Sequence, residues 1–129
     1  MIQLRDIMTT EVLTTSAERS VAEVTGLMVK ARVGSAVVLQ GSWLAGILTE
    51  RDVLRAAASG SDLTRSPVLQ WMTRDPVTAT PDTTVGEAAE VMLANGFRHL
   101  PVVEGRSLKG VVSIRDVLAS GIRRRSNLE

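Results

Sequence analysis

Apolar residues recur at helical spacing in two parts of the chain, 21–31 and 85–92. In both parts every third or fourth residue is apolar, which is typical of an amphipathic helix. Each stretch overlaps a capping-box sequence, Ser20-Val21-Ala22-Glu23 in one and Thr84-Val85-Gly86-Glu87 in the other. In such a box a hydroxyl side chain and a glutamate three residues later satisfy backbone N–H groups of the first helical turn. The pattern therefore predicts two helices that begin at these boxes.

Pairs of apolar runs follow each predicted helix, and a polar turn that contains glycine separates the two runs of a pair. This pattern predicts two β-hairpins. The runs lie at 36–39 and 44–48, and at 100–103 and 108–112. The remaining elements are predicted as short extended stretches at 12–14 and 77–79 and as helices from Arg51 and Arg115. Each half of the chain therefore reads β-α-β-β-α.

The two halves are copies of one unit. Sliding the chain by 64 residues aligns 8–54 with 72–118 without a gap, and 14 of the 47 aligned pairs are identical. The identical pairs are spread over the whole alignment, from Met8-Thr9 with Met72-Thr73 to the arginine, aspartate, valine and leucine at its end. A gapless register of this length indicates an internal duplication.

The segment between the copies is rich in serine, glycine and proline, as linkers are. A short helix is expected at its end, and Trp71 after it is expected to anchor the second motif. The predicted division is a first motif at 1–58, a linker at 59–70, a second motif at 71–121 and a basic tail at 122–129. The run Arg123-Arg124-Arg125 is interpreted as a solvated tail, with contact to an acidic partner as the alternative.

Composition excludes several classes of function. The chain has no cysteine, so it has no disulfide, thiolate metal site or cysteine nucleophile, and this fits a reducing compartment. His99 is the single histidine, so one chain cannot build a multi-histidine metal site. Aromatic residues make up 2% of the chain and the net charge is +1, which gives no case for nucleic-acid binding.

A signal peptide and a membrane span are not indicated either. Charged residues occur near the N-terminus, and the uncharged stretch 33–49 is interrupted by the turn signal Gln40-Gly41-Ser42. We therefore expect a cytoplasmic protein without a membrane or nucleic-acid partner.

The most informative repeated pattern is a glycine, two apolar residues, a hydroxyl residue and, three positions later, an aspartate. Thr49 and Asp52 carry it in the first copy, and Ser113 and Asp116 in the second. One interpretation is a helix capping box. The other is a nucleotide site, in which the helix N-terminus and an arginine attract phosphate and the aspartate accepts the ribose hydroxyls. The two interpretations are compatible.

In these repeated residues the chain resembles tandem CBS domains, also called a Bateman module. The resemblance rests on the Met-Thr pair that opens each copy, on the strand Leu100-Pro101-Val102-Val103 and on the glycine-to-aspartate pattern. It covers about residues 1–121. It implies an α+β fold with α/β-type layers, in which two β-α-β-β-α motifs pack with pseudo-two-fold symmetry and form two clefts. AMP, ADP, ATP or S-adenosylmethionine is the ligand that the resemblance implies, with no obligatory cofactor.

The resemblance also implies roles for individual residues. Ribose and phosphate contacts fall on Thr49, Arg51, Asp52, Ser113, Arg115 and Asp116, and the cleft-lining position of the first strand falls on Thr14 and Thr78. The base pocket falls on Val12, Leu13, Ala36 and Val37 in one copy and on Pro76, Val77, Leu100 and Pro101 in the other.

The copies differ before the second strand, where the first copy has Gly34 and Ser35 and the second has Arg98 and His99. Arg98 and His99 could reach a phosphate, or they could be an exposed pair. The two clefts are therefore not expected to be equivalent.

These observations support a regulatory module that senses a nucleotide and signals to a separate effector protein, since almost every residue belongs to the repeats. A homodimer is the expected assembly. The alternative is a dimerisation or scaffold module without a ligand. An enzyme is not expected, because the chain has no P-loop, no dinucleotide-binding glycine pattern and no nucleophile–base pair.

Overall fold

The computed structural model describes residues 1–128, with side chains described as far as Gly121. The chain has the predicted α+β fold, and two β-α-β-β-α motifs follow one another. The first motif contains β1 (Thr14–Thr15), α1 (Val21–Ala31), β2 (Ser35–Gln40), β3 (Trp43–Thr49) and α2 (Glu50–Ala58). β4 (Thr73–Arg74) follows and joins the sheet of the first motif. The second motif then contains α3 (Val85–Asn95), β5 (His99–Glu104), β6 (Ser107–Ser113) and α4 (Ile114–Leu128). Two short 3-10 helices lie at Leu4–Asp6 and Val68–Gln70.

The two predicted caps stand at the helix starts, as half a capping box before α1 and as a complete one before α3. The Ser20 side chain accepts a hydrogen bond from the Glu23 N–H at 3.1 Å, directly before α1. Thr84 and Glu87 cap each other's backbone N–H groups before α3. Because these bonds satisfy N–H groups without a helical partner, the local sequence is sufficient to fix both starts.

The chain forms two compact units. The first-repeat unit is Val12–Pro76, and the second-repeat unit is Met1–Glu11 together with Val77–Glu129. In the first-repeat unit four strands form a sheet in the order β1-β2-β3-β4. β1 pairs with β2 in parallel, and the other neighbours are antiparallel. Its core contains Val24, Met28, Ala36, Val38, Leu48 and Val68.

The second-repeat unit contains the antiparallel hairpin of β5 and β6, flanked by single bridges. Thr9 bridges to Val111 on one side, and Ala79 bridges in parallel to Val102 on the other. The predicted extended stretch at 77–79 is therefore reduced to one paired residue. The core of this unit contains Leu4, Ala88, Met92, Leu100, Val102 and Val112.

The compact units and the predicted motif boundaries divide the chain differently. Leu4, expected in the first motif, is fully buried in the core of the second-repeat unit, where its N–H donates to the Thr83 carbonyl at 2.9 Å. Val68, at the equivalent position, donates to the Arg19 carbonyl at 2.8 Å in the first-repeat unit. Trp71 packs against the first-repeat core, so the prediction that it anchors the second motif is wrong. The opening segment of each repeat packs on the hairpin of the other.

Two glycines allow this packing. A Cβ at Gly46 would lie 2.6 Å from the Thr73 carbonyl oxygen, and a Cβ at Gly110 would lie 2.7 Å from the Thr9 carbonyl oxygen. The repeated Met-Thr pair therefore contacts a repeated glycine in each unit, where a side chain of any size has no room.

The predicted basic tail begins inside helix α4, whose backbone continues to Leu128. The side chains of Arg123-Arg124-Arg125 lie outside the described residues, so their interpretation as a solvated tail stays a prediction.

Candidate ligand-binding site

The candidate site residues lie where a strand leads directly into a helix. Thr49 pairs with Ser35 at the end of the first hairpin, and Ser113 pairs with His99 at the end of the second. The next residue donates its N–H back across the hairpin, from Glu50 to Gly34 at 3.0 Å in the first unit. The two junctions therefore have the same backbone arrangement.

In the first-repeat unit, Thr49 and Asp52 form a complete capping box. Asp52 Oδ2 accepts the Thr49 N–H at 2.9 Å and the Thr49 hydroxyl at 3.1 Å, and the Asp52 N–H donates to Thr49 Oγ1 at 3.4 Å. The interpretation of this pattern as a helix cap is therefore confirmed for the first copy.

The other carboxylate oxygen of Asp52 is engaged as well. Arg55 Nη2 donates to Asp52 Oδ1 at 3.0 Å, one helical turn further along α2. Asp52 is 5% exposed, whereas the Arg55 side chain is 59% exposed. The aspartate of the first copy is thus buried, capped and ion-paired.

The aspartate of the second-repeat unit is less engaged. Asp116 Oδ2 accepts the Ser113 N–H at 2.9 Å, and the Asp116 N–H donates to Ser113 Oγ at 3.1 Å. Ala119 stands 64 residues after Arg55, so the side chain that pairs with Asp52 has no counterpart here. Asp116 is half-buried, and its capping bonds with Ser113 use the Oδ2 oxygen and the backbone N–H.

The predicted base-pocket residues differ in burial. Ala36, Val37, Leu100 and Pro101 are fully buried, and Ala36 and Leu100 belong to the two cores, so their pocket role stays a prediction. Val12, Leu13 and Pro76 are half-buried and Val77 is exposed. Pro76 belongs to the first-repeat unit, whereas the other three residues predicted for its pocket belong to the second-repeat unit.

The first strands of the two repeats also differ. Val37 donates its N–H to the Leu13 carbonyl at 2.9 Å. Pro101, at the equivalent position, has no N–H to donate. Pairing in the second repeat starts two residues later, where the Ala79 N–H donates to the Pro101 carbonyl at 3.0 Å. Val77, whose side chain is 46% exposed, therefore lacks the ladder bond that Leu13 makes.

Apart from the buried Asp52, the polar residues predicted to contact the ligand are exposed or half-buried. Thr14, Thr78, Arg51, Arg98 and Arg115 are exposed, and Thr49, Ser113 and His99 are half-buried. The structure places Thr78, Arg98, His99, Ser113, Arg115 and Asp116 in the second-repeat unit, and Thr14, Thr49, Arg51 and Asp52 in the first-repeat unit.

Sequence reasoning missed Arg55. Its signal was present, because an arginine three residues after an aspartate on a helix is a standard spacing for an ion pair. The second copy has alanine at that position.

Within the described part of the chain, no group of three or more histidine, aspartate or glutamate residues is placed to hold a metal ion. Among the described helices, none is both long and apolar enough to cross a membrane.

Comparison with known proteins defines the family. The family model described as "CBS domain" matches residues 4–59 and 68–122, so the chain belongs to the CBS-domain family and carries two CBS domains in tandem. Both matches begin at the 3-10 helices whose residues Leu4 and Val68 are equivalent.

Curated relatives match over most of their length. An uncharacterized 17.7 kDa protein of Acidianus ambivalens is 41% identical over 117 residues, which cover 89% of this chain and 70% of the relative. A CBS domain-containing protein of Bacillus subtilis is 34% identical over 118 residues, which cover 91% of this chain and 84% of the relative.

A solved structure supports the fold. A CBS domain protein from Pyrobaculum aerophilum, complexed with AMP, matches with a TM-score of 0.83 and 29% identity over 92% of this chain and 97% of that chain.

Proposed function

We propose that the protein is a non-catalytic regulatory module that binds an adenosyl nucleotide in its second-repeat unit and signals to a separate effector protein. Proteins of the CBS family are generally regulatory modules, and the relative from Pyrobaculum aerophilum is complexed with AMP. The observation that carries the proposal is the half-buried carboxylate of Asp116, which the Ser113 N–H holds through Oδ2 at the start of α4.

Asp116 supplies the acceptor for the ribose. A carboxylate oxygen accepts hydrogen bonds from the vicinal hydroxyls of a ribose, and an ionised acceptor makes such bonds stronger. Its other oxygen stays on the Ser113 N–H at 2.9 Å, which fixes the orientation of the side chain. The carboxylate is therefore held in place before a ligand arrives, and little rotamer freedom is lost on binding.

The phosphate and the base use the neighbouring residues. Arg115 is exposed at the start of α4, where free N–H groups and the helix dipole favour an anion. Arg98 is exposed and His99 half-buried at the start of β5, across the hairpin from Ser113. The exposed side chain of Val77 offers apolar contact to the base.

The ligand regulates by linkage. A nucleotide that binds one arrangement of the module more tightly than another raises the population of that arrangement, and an effector protein that recognises it responds. A ligand of about 23 heavy atoms at roughly 0.3 kcal/mol per atom gives a Kd on the order of 10 μM, which suits a sensor. The lack of cysteine fits a reducing compartment, and we place the protein in the cytoplasm.

Calorimetric titration tests this function with AMP, ADP, ATP and S-adenosylmethionine. We expect one of them to bind wild type with a Kd near 10 μM, and Asp116→Ala to weaken it about 10- to 100-fold, because a charged acceptor contributes about 1.5–3 kcal/mol. Asp116→Asn keeps a capping side chain and separates loss of charge from loss of fold. Asp52→Ala is the matched control and should leave the affinity of this site unchanged. Absence of binding by all four ligands would reject the proposal and favour the scaffold function.

We also propose a homodimer that uses the helical faces. Large apolar side chains are exposed at equivalent positions of both repeats: Val29 and Leu93 are 74% and 77% exposed, and Leu54 and Leu118 are 70% and 63% exposed. Repeated exposure of this kind favours an interface between copies of the chain. Sedimentation of Leu54→Glu and Leu118→Glu variants should give monomers where wild type gives dimers.

A further inference from the structure

In the first-repeat unit, the Arg55 side chain is a candidate for blocking the equivalent ligand site at Asp52. Arg55 and Ala119 occupy equivalent positions of the two repeats. Arg55 lies three residues after Asp52, and Ala119 lies three residues after Asp116. We infer that Arg55 occupies the carboxylate of Asp52 in place of ligand hydroxyls, so that the first-repeat unit is closed and the chain binds one nucleotide. This inference rests on the proposed function of Asp116 and extends it to the other copy.

The contacts of Asp52 leave little acceptor capacity. Its Oδ2 accepts from the Thr49 N–H and hydroxyl, and its Oδ1 accepts from Arg55 at 3.0 Å. A carboxylate offers about four acceptor positions, so three of them are already used. With 5% of the residue exposed, the remaining position is not open to solvent. A ribose could reach this carboxylate only after Arg55 moves away.

The Arg55 side chain is positioned so that it can block the Asp52 carboxylate and can also be displaced from it. It is 59% exposed, so its guanidinium lies at the surface while its partner carboxylate is buried. Displacing it would leave a buried carboxylate without its cation, and a ligand with neutral hydroxyls replaces only part of that interaction. We therefore expect the first-repeat unit to bind nucleotide about 10- to 100-fold more weakly than the second.

A purely structural role for Arg55 predicts a different result. An ion pair at this spacing on a helix stabilises the helix slightly and has no effect on how many ligands bind. The number of nucleotides bound per chain therefore separates the two roles.

The test is calorimetric stoichiometry with AMP on the full chain. Arg55→Ala and Arg55→Met, which keeps the aliphatic stem without the charge, should raise binding from one AMP per chain to two. The reciprocal variant Ala119→Arg should place a guanidinium one turn after Asp116 and weaken the original site at least 10-fold. Arg65→Ala is the matched control, because Arg65 also pairs with an aspartate three residues earlier, at 3.8 Å from Asp62, but lies outside the site.

Each outcome decides the inference. Two AMP molecules on wild type, or no additional AMP on folded Arg55→Ala and Arg55→Met, would overturn it. If wild type binds none of AMP, ADP, ATP and S-adenosylmethionine, the proposed function fails at Asp116. Even in that case, closure of the first-repeat unit by Arg55 is supported if the Arg55 variants bind one AMP per chain, and it is rejected if they bind none. Circular dichroism of each variant establishes that it is folded.

Discussion

The first-repeat unit is more fully hydrogen-bonded than the second-repeat unit in two places. In the first, the Val37 N–H donates to the Leu13 carbonyl, whereas Pro101 at the equivalent position has no N–H to donate. In the second, Asp52 is paired with Arg55, whereas alanine stands at the position equivalent to Arg55 in the second repeat. Both differences lie near the strand-to-helix junction of each repeat. The comparison shows that two equivalent junctions of one duplicated sequence differ in their backbone pairing and in their ion pairing.

The largest effect is expected from the crossed opening segments. Leu4→Ala should cost about 2–5 kcal/mol of unfolding free energy, because a fully buried leucine is replaced by a cavity. Val68→Ala, equivalent in the first-repeat unit, should cost less because a smaller side chain is removed. Denaturant unfolding measures both, and hydrogen exchange identifies the unit affected.

For these variants, the decisive result is which of the two units loses amide protection. Leu4→Ala should reduce amide protection at Val102 and Val112, in the unit whose core contains Leu4. Loss confined to residues 12–58 would show that Leu4 belongs with its own repeat. Arg65→Ala, at a position whose side chain is 88% exposed, should stay within about 0.5 kcal/mol of wild type.

The glycine contacts compare the same packing in both units. Gly46→Ala and Gly110→Ala should each cost about 1–3 kcal/mol, because the new methyl group would meet a backbone carbonyl. Gly26→Ala is the control: it lies in α1 with open space around it, so it should stabilise by about 0.5–1 kcal/mol. Thermal unfolding of the three variants gives the comparison, and equal shifts in all three would contradict it.

The two aspartates should differ in their contribution to stability. Asp52→Ala is expected to cost about 2 kcal/mol, since it removes a cap and leaves Arg55 unpaired. Asp116→Ala removes a cap alone and should cost about 1 kcal/mol. Equal losses in urea unfolding would indicate that the Arg55 ion pair contributes nothing.

The smallest expected effect is on the stability of the fold at acidic pH. Hydrogen bonds from Thr64 lower the pKa of Asp62 below its usual 3.8, and a hydrogen bond from Thr80 lowers the pKa of Asp82 in the same way. A folded-state pKa below the unfolded value gives stability that is present above about pH 4 and is lost as the pH falls through the folded pKa. Asp62→Asn and Asp82→Asn should each flatten the decline in melting temperature below pH 4. Curves parallel to wild type would contradict the expectation.

The sequence predicted what is local. Ser20 and Thr84 cap their helices with residues three positions away, so spacing alone located the helix starts. The alignment of the repeats likewise identified Thr49 with Ser113 and Asp52 with Asp116 as equivalent pairs.

Distant packing could not be predicted in the same way. The repeat alignment shows that Leu4 and Val68 are equivalent, but equivalence does not say which hairpin each one covers. The sequence likewise gives the positions of Ala36 and Leu100 but not their complete burial in the two cores. The Arg55–Asp52 pair depends on which way two side chains turn, and a spacing of three residues permits more than one arrangement.

The crossing of the opening segments bears on how such a chain can arise. A single repeat with its own opening segment would have an uncovered hairpin glycine and a leucine without a core. It would complete itself only by exchanging that segment with a second molecule. Fusing two repeats makes the exchange intramolecular, so the effective concentration of the missing segment no longer depends on how much protein the cell contains. Duplication therefore supplies each hairpin with its covering segment at any dilution.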